Sequence, residues 1–163
     1  MRLLIIRHAT AKPATAELDD ALRPLTRQGR RRFRRAARGL ARINSTPDAL
    51  FASPLLRALQ TAEIAARAWG KVEVTPLPAL ADGGFEAVVA ALAEQPATAT
   101  VALVGHEPAL SLLLARLLGA PASSQRLGFR KGGAALVDLP GLPEDGGLLR
   151  WFLPARVLRA LGD

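Results

Sequence analysis

Cysteine is absent from this chain of 163 residues, and no long uninterrupted apolar run occurs in it. The first absence excludes disulfide bonds, thiolate metal sites and a cysteine nucleophile. A membrane-spanning helix needs about 20 apolar residues, and a secretory leader needs an apolar stretch of roughly 7–15. The N-terminal apolar run covers only residues 3–6, and the richest segment, residues 109–120, is interrupted by Arg116. We therefore expect a cytoplasmic protein with no membrane partner.

Three common nucleotide-binding and hydrolase signatures are also missing. The chain contains no GxxxxGK[ST] loop, and no GxGxxG follows a predicted strand, which removes the usual sequence evidence for a bound nucleotide. GxSxG is absent as well, so serine-hydrolase chemistry of that type is not expected. The chain has two histidines, whereas a catalytic zinc site normally has three protein ligands.

What the chain has in excess is positive charge. The formal net charge is +8, and nine arginines lie between Arg23 and Arg42 with no acid among them. A basic surface attracts phosphorylated substrates, acidic proteins or nucleic acid. Half of the residues are apolar, and a chain of this length suffices for one domain with a hydrophobic core. We therefore expect a single domain over residues 1–163.

Strands and helices are predicted to alternate. Apolar runs predict strands, and 3.6-residue periodicity with Thr26 or Ser53-Pro54 at the start predicts helices. This alternation favours a three-layer α/β/α sandwich with a mostly parallel sheet. The last two strands are joined only by a turn at residues 143–147, so at least one of them must be antiparallel. The predicted strands are residues 3–6, 49–52, 72–75, 100–104, 134–139 and 148–153; the predicted helices are residues 27–43, 54–69, 85–94, 107–118 and 154–161.

The two histidines share one placement. His8 follows the strand at residues 3–6, and His106 follows the strand at residues 100–104. In open parallel sheets, ligands bind beyond the carboxyl ends of the strands. A single histidine in such a place is usually a solvated loop residue or a helix cap, but two with the same placement favour a shared site if their strands are neighbours.

Two arginines are expected at the same edge of the sheet. Arg57 lies in the first turn of a helix that follows the strand at residues 49–52, where helix N-termini favour anions. Arg7 ends the first strand, so its charge needs a nearby partner. Ion pairs are the alternative, with Glu63 or Glu107 for Arg57 and with Asp19 or Asp138 for Arg7. A phosphate group would satisfy both guanidiniums equally well.

Four short blocks of sequence occur at these predicted strand ends and along the chain to about residue 108. They are Arg7-His8-Ala9 with Ala11; Arg23-Pro24-Leu25-Thr26 with Gly29; Ser53-Pro54-Leu55 with Arg57-Ala58 and Gln60-Thr61-Ala62; and Gly105-His106-Glu107-Pro108. In this order they resemble the histidine phosphatase superfamily, and within it the small bacterial phosphohistidine phosphatases of the SixA type. The segment Lys131-Gly132-Gly133-Ala134 is also similar to that group.

The resemblance implies a phosphoglycerate mutase-like fold and assigns functions to the site residues. His8 would carry the phosphoryl group, and Arg7, Arg57 and His106 would bind its oxygens, without a metal or organic cofactor. Many relatives also have a general acid after the second helix. No residue here matches it well, and the three candidates are Asp82, Glu86 and Glu107.

The predicted function is phosphatase activity on protein phosphohistidine, since a nitrogen leaving group that already carries its proton needs little acid catalysis. One alternative keeps the chemistry but has a small phosphate ester as the substrate. The other is a nucleic-acid-binding module built on the arginine helix, at residues 27–42, although no known nucleic-acid motif is present. We expect a monomer whose partner is the phosphorylated substrate.

Overall fold

In the computed structural model, which describes residues 1–141 and 143–163, strands and helices alternate along the chain. The strands are β1 (Arg2–Arg7), β2 (Ala49–Ala52), β3 (Val74–Pro76), β4 (Thr100–Gly105), β5 (Ala134–Asp138) and β6 (Leu148–Leu153). The helices are α1 (Arg27–Ile43), α2 (Leu56–Ala68), α3 (Ala79–Asp82), α4 (Phe85–Ala93), α5 (Ala109–Leu117) and α6 (Ala155–Leu161).

The six strands form one sheet in the order β3-β2-β4-β1-β5-β6. β3, β2, β4 and β1 pair in parallel, whereas β5 is antiparallel to both β1 and β6. The mostly parallel sheet with an antiparallel strand near the C-terminus is therefore confirmed. Because β1 and β4 are neighbours, their carboxyl ends meet at one edge of the sheet.

Strand β1 is apolar on both of its faces because helices cover both sides of the sheet. Leu4 and Ile6 pack into the core shared with α1, α2 and α6, while Leu3 and Ile5 pack into the core shared with α3, α4 and α5. All four are buried. This burial on both faces explains the uninterrupted apolar run that predicted the strand.

Helix α1 begins as predicted, with the Thr26 hydroxyl accepting a hydrogen bond from the Gly29 amide at 2.9 Å. Gly29 also lets this end of the helix approach the chain segment that follows β1. A Cβ at that position would stand 2.2 Å from the Thr10 carbonyl oxygen, closer than real contacts allow. The first turns of α1 therefore pack directly against the residues that follow His8.

Several predicted boundaries are wrong by a few residues. α2 begins at Leu56 rather than at Ser53-Pro54, and Ser53 does not cap it, because the Ser53 hydroxyl is hydrogen-bonded to His106. β3 covers Val74–Pro76 rather than residues 72–75, and α5 covers Ala109–Leu117 rather than 107–118. The short helix α3 was not predicted. No helix among residues 1–141 and 143–163 is long and apolar enough to span a membrane.

Candidate active site

The two histidines lie side by side at the carboxyl ends of β1 and β4. Arg7 is paired with Gly105 in the parallel register, so the next residue on each strand is a histidine. The ring centroids of His8 and His106 are 4.9 Å apart, and the ring planes are inclined by 50°. The side chains are largely buried, at 7% and 8% exposure. The predicted meeting of the two imidazoles is thus present in the fold.

One nitrogen of the His8 ring is held by the backbone. Nδ1 lies 2.7 Å from the carbonyl oxygen of Ala9, and because a carbonyl can only accept, Nδ1 must carry the proton. The lone pair of the neutral ring is then on Nε2. Burial lowers the pKa of His8 to about 3, the Ala9 hydrogen bond partly opposes this, and the charges of His106, Arg57 and Arg7 lower it further. The His8 ring is therefore unprotonated at Nε2 at neutral pH.

His106 is oriented by a residue at the end of β2. Its Nε2 lies 2.8 Å from the hydroxyl oxygen of Ser53, which is fully buried. That hydroxyl also accepts a hydrogen bond from the Leu55 amide at 3.3 Å. Burial lowers the pKa of His106 to about 4, with Arg57 adding to the effect and Asp20 opposing it. Nδ1 of this ring is buried without a hydrogen-bond partner among the residues that the structure describes.

Arg7 is paired with neither of the carboxylates proposed as its alternative partners. Its guanidinium donates to the carbonyl oxygen of Phe129 at 2.5 Å, and Asp138 pairs instead with Arg2 and Arg150. Burial lowers the pKa of Arg7, and the charge of Glu107 raises it in part. The Nε of Arg7 is buried and has no hydrogen-bond partner in residues 1–141 and 143–163.

Arg57 does have a carboxylate partner, but not one of those considered from the sequence. It donates to the backbone carbonyl of Asp20 at 2.7 Å and to the Asp20 carboxylate at 2.9 Å. Glu63 and Glu107 are not involved in the ion pairs of the described residues 1–141 and 143–163. The Arg57 side chain is buried, with 7% exposure, whereas the carboxylate of Asp20 is 58% exposed.

Asp20 is a site residue that sequence reasoning missed. It lies in a 3₁₀ turn, Asp20–Leu22, within the connection after β1, and it also accepts a hydrogen bond from Arg23 at 2.7 Å. Desolvation favours its neutral form, but the hydrogen bond and charge of Arg57 outweigh this, so the pKa of Asp20 lies below its ordinary value. The only signal in the sequence was that Asp20 lies three residues before Arg23, the first residue of the block Arg23-Pro24-Leu25-Thr26.

Thr61 joins α2 to the segment that carries His8. Its hydroxyl donates to the Arg57 carbonyl at 2.7 Å and accepts from the Ala9 amide at 3.1 Å. The Ala9 peptide thus contacts both Thr61 and the His8 ring. Thr61, in the block Gln60-Thr61-Ala62, therefore links the backbone of Arg57 to the backbone next to His8.

The three candidate acids occupy different surroundings. Glu86 is exposed and pairs with Arg116. Glu107 accepts a hydrogen bond from the Phe129 amide at 2.6 Å and another from the Ser111 hydroxyl, which commits both of its oxygens. Within the part of the chain that the structure describes, Asp82 accepts only a weak hydrogen bond, from the Gly84 amide at 3.2 Å. Of these three, Asp82 is the one that combines an uncommitted carboxylate with a place in the cleft beside His106.

That cleft has a volume of about 480 Å³ and lies at the carboxyl edge of the sheet. His106, Asp82, Glu107 and Ser111 contribute to its walls. Among residues 1–141 and 143–163 no group of three histidine, aspartate or glutamate side chains is placed to hold a metal ion. The charges at the site are instead suited to an anion.

Unsatisfied hydrogen-bonding groups concentrate at this site. Five buried side-chain polar atoms of the described residues lack a hydrogen-bond partner, and three of them are Arg7 Nε, Arg57 Nε and His106 Nδ1. Leaving such a group unpaired costs about 1–3 kcal/mol. Three unpaired nitrogens beside an unprotonated imidazole fit a ligand that accepts several hydrogen bonds, such as a phosphoryl group.

Comparison with known proteins agrees with this chemistry. Residues 3–87 match the family model described as histidine phosphatase superfamily (branch 1). An uncharacterised protein of Picosynechococcus is 36% identical over 117 residues, 68% of each chain. The solved structure of the protein histidine phosphatase SixA complexed with tungstate is 28% identical and matches with a TM-score of 0.79, covering 97% of this chain and 99% of that one. α-Ribazole phosphatase of Shigella flexneri shares the fold, with a TM-score of 0.75, 22% identity and coverage of 95% and 97%.

Proposed function

Because the chain belongs to the histidine phosphatase superfamily and is a phosphatase similar to SixA, we propose that its substrate is phosphohistidine in a protein and that His8 forms a phosphoenzyme. The observation that carries this proposal is the set of three buried, unpaired nitrogens beside the neutral ring of His8. They belong to three of the four residues that the sequence motifs single out.

In the first step, Nε2 of His8 attacks the phosphorus of the substrate. A bond forms between Nε2 and phosphorus while the bond from phosphorus to the substrate nitrogen breaks, and that nitrogen keeps the bonding electrons. The low pKa of His8, about 3, keeps its lone pair available for attack. In the second step, the oxygen of a water molecule attacks phosphorus, and the bond to Nε2 breaks with its electrons returning to that nitrogen. Inorganic phosphate then leaves with both protons of the water. Dividing the transfer in this way replaces one difficult step by two easier ones.

The other site residues stabilise charge on the transferred group. Arg7 and Arg57 offer guanidinium N–H groups, and His106 offers a ring nitrogen, to the three equatorial oxygens. Their own partners, the Phe129 carbonyl, Asp20 and Ser53, hold them in place before substrate binds. Such preorganised donors provide most of the catalysis in phosphoryl transfer.

The surroundings of the acids support a phosphoramidate substrate. The carboxylate of Glu107 is used by the Phe129 amide and Ser111, and that of Glu86 by Arg116. An alkyl phosphate needs a proton for its leaving oxygen, whereas a protonated imidazole leaves as a neutral group. Two of the three candidate acids are thus engaged by other groups, which suits phosphohistidine better than an ester.

The test is capture of the phosphoenzyme. The protein is mixed with a ³²P-labelled protein phosphorylated on histidine, quenched in detergent and separated on a gel. We expect an acid-labile label on the parent chain and none on His8→Ala, which should also lose turnover entirely. Lys12→Ala, an exposed residue of the connection after β1, serves as the control and should retain the label. A labelled or fully active His8→Ala protein would falsify the proposal.

Hydrolysis of a small phosphate ester is the second candidate, and Asp82 is the observation that favours it. Its carboxylate lines the cleft beside His106 with only a weak hydrogen bond, so it is available to protonate a leaving oxygen. If esters are the substrates, Asp82→Asn lowers turnover of esters with poor leaving groups. If phosphohistidine is the substrate, Asp82→Asn leaves its turnover unchanged.

A further inference from the structure

The arginines of α1 fall into two groups. The first group forms hydrogen bonds within the protein, to the side chain of Asp163 and to the backbone carbonyls of residues 161–163. It consists of Arg35, Arg38 and Arg42. The arginines nearer the N-terminus of α1 have no hydrogen bond or ion pair from their side chains to the described residues. They are Arg27, Arg30, Arg31, Arg32 and Arg34.

The start of the second group is placed unfavourably for the helix itself. The N-terminal end of a helix carries partial positive charge and is stabilised by acidic residues. The first turn of α1 contains no acid and begins with Arg27. Helix stability therefore does not explain Arg27, and an anion from outside the chain would offset the positive charge of the whole group.

One of these arginines lines a second pocket next to the active site. The pocket has a volume of about 110 Å³, and Arg32, Lys131 and Arg159 contribute to its walls from three separate segments of the chain. None of its lining residues is acidic. These three cations also lack side-chain partners among residues 1–141 and 143–163. We call Arg32, Lys131 and Arg159 the basic pocket.

The basic pocket shares a wall with the segment after β1 that carries His8. Ala9, Thr10 and Gly132 line it, and the Gly132 amide donates to the carbonyls of Arg7 and His8, at 3.1 Å in both cases. Two Cα–Cα steps of about 3.8 Å place the Cα of Thr10 within about 8 Å of that of His8. An extended peptide covers this distance in about two to four residues.

We infer that the basic pocket binds an acidic side chain of the phosphoprotein substrate, two to four residues from the phosphorylated histidine. This inference rests on the proposed function for the identity of the phosphorylated residue. Three cations on separate elements suit a carboxylate better than a neutral group, and the short distance lets a single peptide occupy both sites. The pocket thus selects among phosphoproteins by the acidity of the sequence around the phosphohistidine.

The test compares two phosphohistidine peptides that differ only in their flanking residues, with glutamates at positions −4 to −2 and +2 to +4 in one and glutamines in the other. We expect kcat/KM to be about 5- to 10-fold higher for the glutamate peptide, the size of effect given by one or two partly exposed ion pairs. The preference should disappear in Arg32→Gln/Lys131→Gln and at 0.5 M salt, on the order of the concentration that screens exposed charges. The same preference in the parent chain and in this double variant would refute the inference.

The matched control removes one arginine and one lysine elsewhere. Arg67→Gln/Lys71→Gln changes the net charge equally, and both residues are exposed at the end of α2 remote from the site. This variant should keep the preference for the glutamate peptide. Its loss in the control as well would show that overall charge, and not the basic pocket, selects the peptide.

A binding measurement separates failure of this inference from failure of the proposed function. Fluorescein-labelled peptides with the same flanks, but with phosphoserine at the centre, are titrated into His8→Ala protein and followed by anisotropy. Tighter binding of the glutamate peptide that depends on Arg32 and Lys131 supports the basic pocket even if no phosphohistidine is hydrolysed. Equal affinities for the two peptides overturn it even if phosphohistidine is the substrate.

Discussion

The arginines at the active site and those that contact the C-terminal residues differ in their burial and in their hydrogen-bond partners. At the active site, the Arg57 side chain is 7% exposed and keeps one buried nitrogen without a partner among the described residues, although Asp20 accepts two of its other hydrogen bonds. At the C-terminus, Arg35 is 44% exposed and pairs with Asp163, which is 50% exposed. We call the contacts that Arg35, Arg38 and Arg42 make with residues 161–163 the C-terminal clasp.

The difference shows how burial decides what an arginine does. An exposed ion pair contributes little because water solvates both charges well. A buried guanidinium loses that solvation and needs hydrogen-bond acceptors close by. At the site, the protein supplies acceptors for only some of the guanidinium N–H groups. The remaining N–H groups are available to a phosphoryl group. The clasp, in contrast, fastens α6 to α1 with contacts that involve no substrate.

Substituting one arginine from each region gives the largest expected contrast. Arg57→Ala should lower kcat/KM about 10²- to 10³-fold, because it removes a charge-stabilising donor, and His106→Ala should have a similar effect. Arg35→Ala should leave kcat/KM unchanged, since the side chain lies in the clasp. Steady-state kinetics with one substrate measures both. Equal losses in Arg57→Ala and Arg35→Ala would contradict the distinction.

Acid should affect the active site before it affects the clasp. The pKa values of His8 and His106 are lowered by burial to about 3 and about 4, whereas an unfolded histidine has a pKa near 6.5. Their neutral forms therefore stabilise the fold above about pH 6.5, and this stability is lost as the pH falls through 6.5 toward 4 and 3. Each proton taken up on unfolding contributes a slope of about 1.4 kcal/mol per pH unit.

Urea unfolding between pH 7 and pH 4.5 measures this slope. A slope corresponding to nearly two protons is expected for the parent chain, and His8→Asn should remove about one of them. The pKa of Asp163 is lowered by its hydrogen bond to Arg35, so the clasp weakens only at more acidic pH. A flat stability profile above pH 4.5 would show that the histidines are solvated in the folded state.

A smaller effect is expected from the acid that holds the site arginine. Asp20→Asn keeps an acceptor for Arg57 but removes a negative charge next to the phosphoryl site. Competitive inhibition by inorganic phosphate should become about 5-fold stronger, because one repulsive charge at a partly exposed position is worth about 1 kcal/mol. Weaker inhibition would mean that Asp20 acts mainly by orienting Arg57. The clasp variant Asp163→Asn should leave phosphate inhibition unchanged.

The sheet and the four residues at its edge were accessible from sequence because they depend on local patterns. Apolar runs predicted β1 and β4, and a histidine two residues after each run placed both rings at the same edge. The start of α2 was less accessible. Ser53-Pro54 is a normal helix-start pattern, yet the Ser53 hydroxyl is used by a side chain 53 residues away, and no local rule includes that competitor.

By itself, the sequence determined the order of the strands and of every helix except α3, and the presence of two histidines at strand ends, because periodicity and strand polarity act between near neighbours. Only the tertiary structure decided which groups surround those histidines. Asp20 reaches Arg57 across 37 residues, and Phe129 reaches Arg7 across 122. Such pairs form because the folded backbone brings donors and acceptors together where water is excluded. The spacing of the residues along the chain does not predict these contacts.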